Sequence, residues 1–346
     1  MWTYLAKRTL YMLPILLAVT FVVFLLLYLV PGTFAETLCG LGCPSVTRDR
    51  LYEHFGLNDP FHLQYSRWIY GLIGSPVVDL ERFPFLHFNP PDFGYSHQAN
   101  TSAFEALLGG DRAFWSMAVL LSAMALSWLI ALPLGVYTAT RKGRASDLVV
   151  TSLALVGISV PGFIFGLAIL WFVQVHLGLG HTPFFQIGYG GFLNPEYVGK
   201  PLDLMAVLNF LWHFLPPVVV LALGHAAVVL MHTRGRLPAV LPPTYLTAAR
   251  AKGLKEGRVI RHALRNALTP LIGMLGFWLP YMMEGALVVA LVFNLPVVER
   301  AFVQSIIDQN TVVTITGLFL FTLLLLLGNL VSDLLLALND PRIRYE

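Results

Sequence analysis

Residues 10–30 read LYMLPILLAVTFVVFLLLYLV, one residue after the basic pair Lys7-Arg8, and carry no charge. A helix needs about 20 apolar residues to cross the hydrocarbon core of a bilayer, so this stretch is long enough. A signal peptide shares the basic start, but its apolar core runs only about 7–15 residues before a small-residue cleavage site. Here Pro31-Gly32-Thr33-Phe34 follows, and we read a retained first membrane helix. Working outward, four more uncharged stretches can span, at 113–140, 148–176, 204–233 and 310–332. A fifth, 268–293, is interrupted only by Glu284. The sequence predicts an all-α polytopic membrane protein with six transmembrane helices.

Composition agrees. Of 346 residues, 57% are hydrophobic and 12% charged, about half the charge of a typical globular domain, and the mean hydropathy is +0.71. So few charges cannot cover a soluble fold of this size, which excludes a soluble enzyme, a disordered chain and a nucleic-acid-binding domain. The net charge of +3 is informative only in its distribution. Fifteen of the 22 basic residues fall in segments 1–8, 140–147, 232–267 and 339–346. Basic flanks lie on the cytoplasmic side, so both termini face inward and 31–112, 177–203 and 294–309 face outward.

This divides the chain into a first transmembrane helix, 1–30, an outer domain, 31–112, and a core of five helices, 113–346, with a cytoplasmic loop at 232–267. An 82-residue outer segment is too long to be structureless in a compact protein. Helical stretches are expected at 46–55 and 63–72. The Pro-rich run 75–91 reads as an irregular insertion, and the whole as a small lid over the membrane part.

Loop 232–267 carries eight basic residues against one acid. Thr244 is a suitable N-cap before Tyr245-Leu246-Thr247-Ala248-Ala249-Arg250-Ala251-Lys252, and Gly253 a suitable stop. A second helix over 256–268 leads into the fifth span. The bland reading is a positive-inside loop touching lipid headgroups; the sharper one is a docking helix for a cytoplasmic partner.

These residues resemble a family. Tyr245-x-Thr247-Ala248-Ala249-Arg250-Ala251-Lys252-Gly253-Leu254, followed by His262-Ala263-Leu264-Arg265-Asn266-Ala267-Leu268-x-Pro270, looks like the coupling region of ABC-importer permease subunits of the dipeptide/oligopeptide (and nickel) branch. Thr247 stands where the family's "EAA" loop has Glu. Pro31-Gly32, Gly56-Leu57-x2-Pro60, Phe93-Gly94-Tyr95-Ser96, Pro133-Leu134-Gly135-Val136, Arg141-x-Gly143, Asp147, Gly157-x-Ser159-x-Pro161 and Asn329-x3-Asp333-x6-Asp340-Pro341-Arg342-Ile343-Arg344 match in order. The resemblance implies a type I ABC-importer permease fold with an extracytoplasmic lid between helices 1 and 2, in a bacterial or archaeal plasma membrane. It further implies that Tyr245, Thr247, Ala248, Ala249, Arg250, Lys252 and Gly253 couple to an ATPase. The implied partners are a homologous second permease, two ATP-binding subunits that bind ATP and Mg, and an extracytoplasmic substrate-binding protein. No phosphate-binding Gly-x4-Gly-Lys-Ser/Thr occurs in this chain, so nucleotide chemistry belongs to a partner. The chain itself has no catalytic residue, cofactor or metal, and meets no nucleic acid.

The sequence departs from the family after the fifth span, where Ala290-Leu291-Val292-Phe293-Asn294-Leu295-Pro296-Val297 lacks the usual acid, Trp and Gly. Glu284 appears six residues earlier, near mid-bilayer, where a lone acid costs at least ~2.5 kcal/mol. It either faces the path between two permeases or is neutralised by a neighbouring helix. Ser159 and Pro161, where the third span is interrupted, are candidates for the same path or for a packing kink. Cys39 and Cys43 flank a Gly-rich turn in the outer segment and are expected to form a local disulfide. His213, His225 and His232 lie in or beside the fourth span without a matching pair on a second helix, against haem ligation. The leading reading is an importer of short peptides. Nickel complexes, glutathione and oligosaccharides are open on the same architecture, and a self-sufficient secondary transporter or electron-transfer subunit is the alternative class.

Overall fold

In hydrocarbon a backbone N–H or C=O has no water to bond, so apolar stretches of this length close their hydrogen bonds within helices. A computed structural model describes residues 2–29, 36, 44–54, 56–73, 76–78, 86–88, 91–96, 98–178, 191–201, 203–240 and 244–339. The fold is mostly helical. Among the described residues four helices are long and apolar enough to cross a membrane, at Lys7–Leu29, Arg112–Thr140, Leu204–Ala239 and Thr311–Leu338. Two bent pairs raise the number to six if each is one span: Ala145–Ser159 with Gly162–His176, at 97°, and Thr269–Trp278 with Pro280–Val292, at 46°.

Residues 114–296 and 325–346 make one compact unit. It holds most of α5 (Arg112–Thr140), then α6 (Ala145–Ser159), α7 (Gly162–Trp171), α8 (Leu204–Val240), α9 (Thr244–Ala251), α10 (Glu256–Ala267) and α11 (Thr269–Val292). It also holds the last part of α13 (Thr311–Asn339). Helix α8 touches α6, α7, α10 and α11. The core is built on small residues, with Ala131, Ala154, Ala226, Ala227, Val229 and Leu230 packed beside Leu271 and Trp278. Small side chains let helix backbones approach in a medium that offers no hydrophobic drive between helices. Buried hydroxyls bond back to their own helices: Ser127 Oγ to Met124 O at 2.7 Å, Thr138 Oγ1 to Leu134 O at 2.9 Å and Thr233 Oγ1 to Val229 O at 2.8 Å.

Residues 2–113 and 297–324 make the other unit. It contains α1 (Trp2–Leu29), α2 (Ser45–His54), α3 (Phe61–Ile73), α4 (Ala103–Leu108), α12 (Val298–Ile307) and the start of α13. Phe24, Trp68, Ile315 and Phe319 form its core. Phe61 and Tyr65 of α3 meet Phe21 and Phe24 of α1 edge-on, at 5.2–5.7 Å between ring centres. The Thr20 and Tyr65 hydroxyls are 3.1 Å apart. Leu10, Leu13, Leu26 and Leu29 of α1 are more than half exposed, as a helix bathed in lipid requires.

The structure departs from the sequence reading at three places. The 148–176 stretch is not one straight helix: Val160 (φ −94°, ψ 123°) and Pro161 (φ −54°, ψ 132°) are extended, and the chain turns between them. Pro161 has no N–H to continue the ladder, and the residue before a proline is pushed out of the helical region. Helix α8 runs seven residues beyond 233, to Val240, so Arg234 and Arg236 stand on its last turns and not in a loop. Within 75–91, read as irregular, two short strands pair antiparallel, Pro76–Val78 against Leu86–Phe88. These and Tyr95–Ser96 with Thr101–Ser102 are exceptions to an all-α fold. Cys39 and Cys43 lie outside the described residues, so the expected disulfide is not described.

Helices α11 and α13 touch backbone to backbone. A Cβ added at Gly276 would strike the Gly328 carbonyl, and one at Gly328 would lie 2.6 Å from the Gly276 oxygen. Beside this contact Ser332 Oγ lies 2.9 Å from Ile272 O and 2.7 Å from Gly273 O. Gly276→Ala is expected to lower stability by about 1–3 kcal/mol through overpacking. Gly235→Ala, where an added Cβ meets nothing within 4 Å, should be neutral or stabilising. Thermal melting of the two detergent-purified variants checks the contrast.

Candidate functional site

Three features of the first unit converge near the α8–α11 region. The first is the pair α9–α10. Helix α10 buries Val259, Ala263 and Ala267, one residue every fourth position, against Ala139 of α5 and Leu237 of α8. Its Arg258 and Arg261 are exposed. That spacing keeps one helix face on the core, so α10 is anchored. Of helix α9, eight residues long, Thr247, Ala248, Arg250 and Ala251 are exposed, as are Lys252 and Gly253 after it. The side chains of Tyr245 and Ala249 lie outside the description.

The joint between the two helices is defined. Gly253 has φ +76°, a left-handed conformation that glycine adopts without strain. Its N–H donates to Arg250 O at 2.9 Å, and Leu254 packs onto the α10 core, together a C-cap with its hydrophobic contact. Across the turn the Arg250 guanidinium meets both Glu256 carboxylate oxygens, at 2.8 and 3.3 Å. Arg250 holds the Glu256 carboxyl below its ordinary value of 4.5. The pair is therefore complete at neutral pH and is lost only as pH falls through the lowered value. Being exposed, it orients the turn more than it stabilises the fold.

The second feature is a buried ion pair. Arg234, near the end of α8, donates from Nε to Asp147 Oδ1 at 2.6 Å and from a terminal nitrogen to Oδ2 at 3.0 Å. Asp147 lies in the first turn of α6 and its side chain is 0% exposed, Arg234's 21%. The Gly143 N–H donates to Oδ2 at 2.8 Å, and Thr151 Oγ1 to Oδ1 at 3.2 Å. Four donors thus neutralise and solvate one carboxylate that water cannot reach, which a buried charge requires. The acid sits in the first turn of α6, the helix end its charge favours.

The third is a cavity of about 460 Å³ between the α6–α7 break, α8 and α11. Pro161, Gly162, Gly224, His225, Tyr281 and Glu284 are among its lining. Glu284 is exposed, with no hydrogen-bond or ion-pair partner among the described residues. His225 of this wall, 3% exposed, stands edge-to-face on Trp278 at 4.3 Å, and Trp278 meets Trp128 at 5.2 Å.

Of the residues singled out in the sequence, the structure brings Pro161 and Glu284 to one cavity and leaves Ser159 off its wall. It puts Thr247, Ala248, Arg250, Lys252 and Gly253 on one exposed element. His213 bonds through Nδ1 to Asn209 O at 2.7 Å, and among the described residues no three His, Cys, Asp or Glu gather as a metal site. Arg234 was only one of eight basic residues in a loop by sequence. Its partner lies 87 positions away, a separation that spacing does not reveal.

The chain matches the model of the binding-protein-dependent transport system inner membrane component over residues 131–345, and that of the family's N-terminal membrane component over residues 1–118. It is 30% identical over 347 residues to the oligopeptide transport system permease protein AppB of Bacillus subtilis (strain 168), covering 100% of each chain. The glutathione transport system permease protein GsiC of Salmonella typhimurium is 29% identical over 348 residues, again 100% of each. A putative peptide transport system permease protein of Brucella abortus (strain 2308) is 30% identical over 342 residues, 98% of each.

Removing either partner of the α6–α8 ion pair strands the other. Asp147→Ala and Arg234→Ala are each expected to lower the melting temperature by roughly 5–15 °C. The double variant should lose less than the sum, and a thermal double-mutant cycle reads the difference.

Proposed function

The chain belongs to the family of binding-protein-dependent transport system inner membrane components, and we propose that it is one half of the translocation pathway of an ATP-driven importer of di- and oligopeptides. It is a multi-pass plasma-membrane protein. In this reading it has six spans, with the α9–α10 side cytoplasmic and 31–112 forming an extracytoplasmic lid. It pairs with a homologous second permease, two ATP-binding subunits and a substrate-binding protein. ATP and Mg are held by the partners. The oligopeptide, peptide and glutathione permeases it resembles support a substrate with a peptide backbone.

The observation that carries this reading is the contrast between α9 and α10. An exposed short helix on a rigid, buried neighbour is what docking and force transmission require. Movement of a docked ATPase displaces α9; the Gly253 cap and the Arg250–Glu256 pair keep α10 in register with it. The stripe Val259, Ala263, Ala267 hands the displacement to the ends of α5 and α8, and the Asp147–Arg234 pair passes it to α6. Helix α6 ends at the break that borders the cavity. Glu284 then supplies the acid of the path, where it can meet a substrate ammonium in place of hydrocarbon.

Deleting residues 247–253 is expected to leave insertion and assembly of the subunit intact while abolishing substrate-stimulated ATP hydrolysis by the reconstituted importer. Normal transport by that deletion refutes the coupling role. Glu284→Gln is expected to lower import of peptides with a free N-terminus by about tenfold, the order of one lost charge-assisted contact. Unchanged rate and unchanged substrate range in proteoliposomes remove Glu284 from the path.

A further inference from the structure

The second unit contains a cavity of about 300 Å³, with a few charged and polar side chains in a largely apolar lining, that the coupling mechanism does not use. It lies between the 96–112 segment and α12 with the turn after it. Its lining lies outside the long apolar helices except for Arg112, the first residue of α5, and Val313 in the first turn of α13. Its wall carries one cation, Arg112, and one anion, Asp308, and the two are not paired with each other or with another described charge. Arg112 spends one N–H on Ala106 O, at 2.6 Å. That bond fixes the guanidinium at the end of α4 and leaves its other donors available. Asp308 accepts from Gln304 Nε2 through Oδ1 at 2.9 Å, leaving Oδ2.

Gln98 adds an acceptor. Its Nε2 donates to Asp308 O at 2.8 Å, across 210 positions of sequence. Flipping the amide would set oxygen against oxygen, so the orientation is determined by the bond. The flip-fixed Oε1 is buried without a partner. The frame is rigid: Asn310 Nδ2 bonds Ser96 Oγ at 2.7 Å, tying the same two segments. Native proteins seldom leave a buried acceptor unmatched, and here it stands in the same small cavity as an unpaired carboxylate oxygen. Two acceptors call for a donor of several hydrogens, and the guanidinium calls for a planar anion.

We propose that this cavity binds a small zwitterion of the α-amino-acid or dipeptide class, with the ammonium on Asp308 and Gln98 Oε1 and the carboxylate on Arg112. Its volume is at the lower end of ligand sites, which run from about 300 Å³, so it holds a short peptide or the end of a longer one. That it receives cargo on the outer face rests on the importer reading above; the ligand chemistry does not.

The test uses the complete complex of permeases and ATP-binding subunits in nanodiscs, without the substrate-binding protein. Ala-Ala, N-acetyl-Ala-Ala and Ala-Ala-amide are titrated by calorimetry. The wild-type complex is expected to bind Ala-Ala at least tenfold more tightly than either blocked form. Arg112→Gln should erase the discrimination against the amide and keep that against the acetylated form; Asp308→Asn should do the reverse. Arg112→Lys, which keeps the charge, should retain part of the discrimination and guards against a folding defect in the glutamine variant. Equal binding of the three ligands by wild type, or variants that treat them as wild type does, overturns the site. So does binding of phosphoethanolamine in the absence of Ala-Ala binding, which assigns the cavity to a lipid headgroup. Peptide import assayed in parallel with the binding protein present separates the two claims. A complex that imports peptides but fails the titration loses this site alone, and one that passes the titration but imports no peptide loses the importer reading.

Discussion

Polar groups removed from water must find partners inside the protein, and the architecture follows from how each one does so. The buried hydroxyls Ser127, Thr138 and Thr233 bond back to their own helix carbonyls. Ser332 reaches a neighbouring helix. Asp147 gathers Arg234, Gly143 and Thr151. Where the ladder is broken, at Val160-Pro161, the exposed backbone borders a cavity instead of lipid, which is the condition under which such a break is tolerated. Glu284 lines the same cavity, so the costliest side chain and the costliest backbone share one place.

The proposed coupling role depends on how the elements of the first unit are held. Helix α10 is fixed by one stripe, Val259, Ala263 and Ala267, while Thr247, Ala248 and Arg250 of α9 are exposed. In that role a partner docked on α9 would move an element joined to the fixed stripe through the Gly253 turn. The ion pair between α6 and α8 serves the same end. It is bidentate and buried, so separating the two helices would expose an unpaired charge, and the low-cost alternative is for them to travel together.

Much of this was legible in the sequence because length and charge are local quantities. The 10–30 run gave α1, and the segments 46–55 and 63–72 fell close to α2 and α3. Thr244 and Gly253 bracketed α9, read as helical to Lys252, and the structure ends it one residue earlier, at Ala251. What escaped was non-local. The Asp147–Arg234 pair and the Gln98–Asp308 bond join residues 87 and 210 positions apart, and no periodicity marks them. The extent of the turn at Pro161 was hidden too: a proline announces a break, but whether the chain kinks or turns by 97° is decided by what packs on either side. Helix α12 was missed because ten residues between two spans are too short and too mixed in character to register against the apolar runs.

The contact of Gly276 with Gly328 has a mechanical consequence. The Gly276–Gly328 crossing sets the distance between α11 and the end of α13, and the Ser332 bonds to Ile272 O and Gly273 O pin the two helices one turn away. The 46° bend of α11 falls just past this clamp, between Trp278 and Pro280. Glu284 therefore belongs to the segment beyond the bend and not to the pinned one.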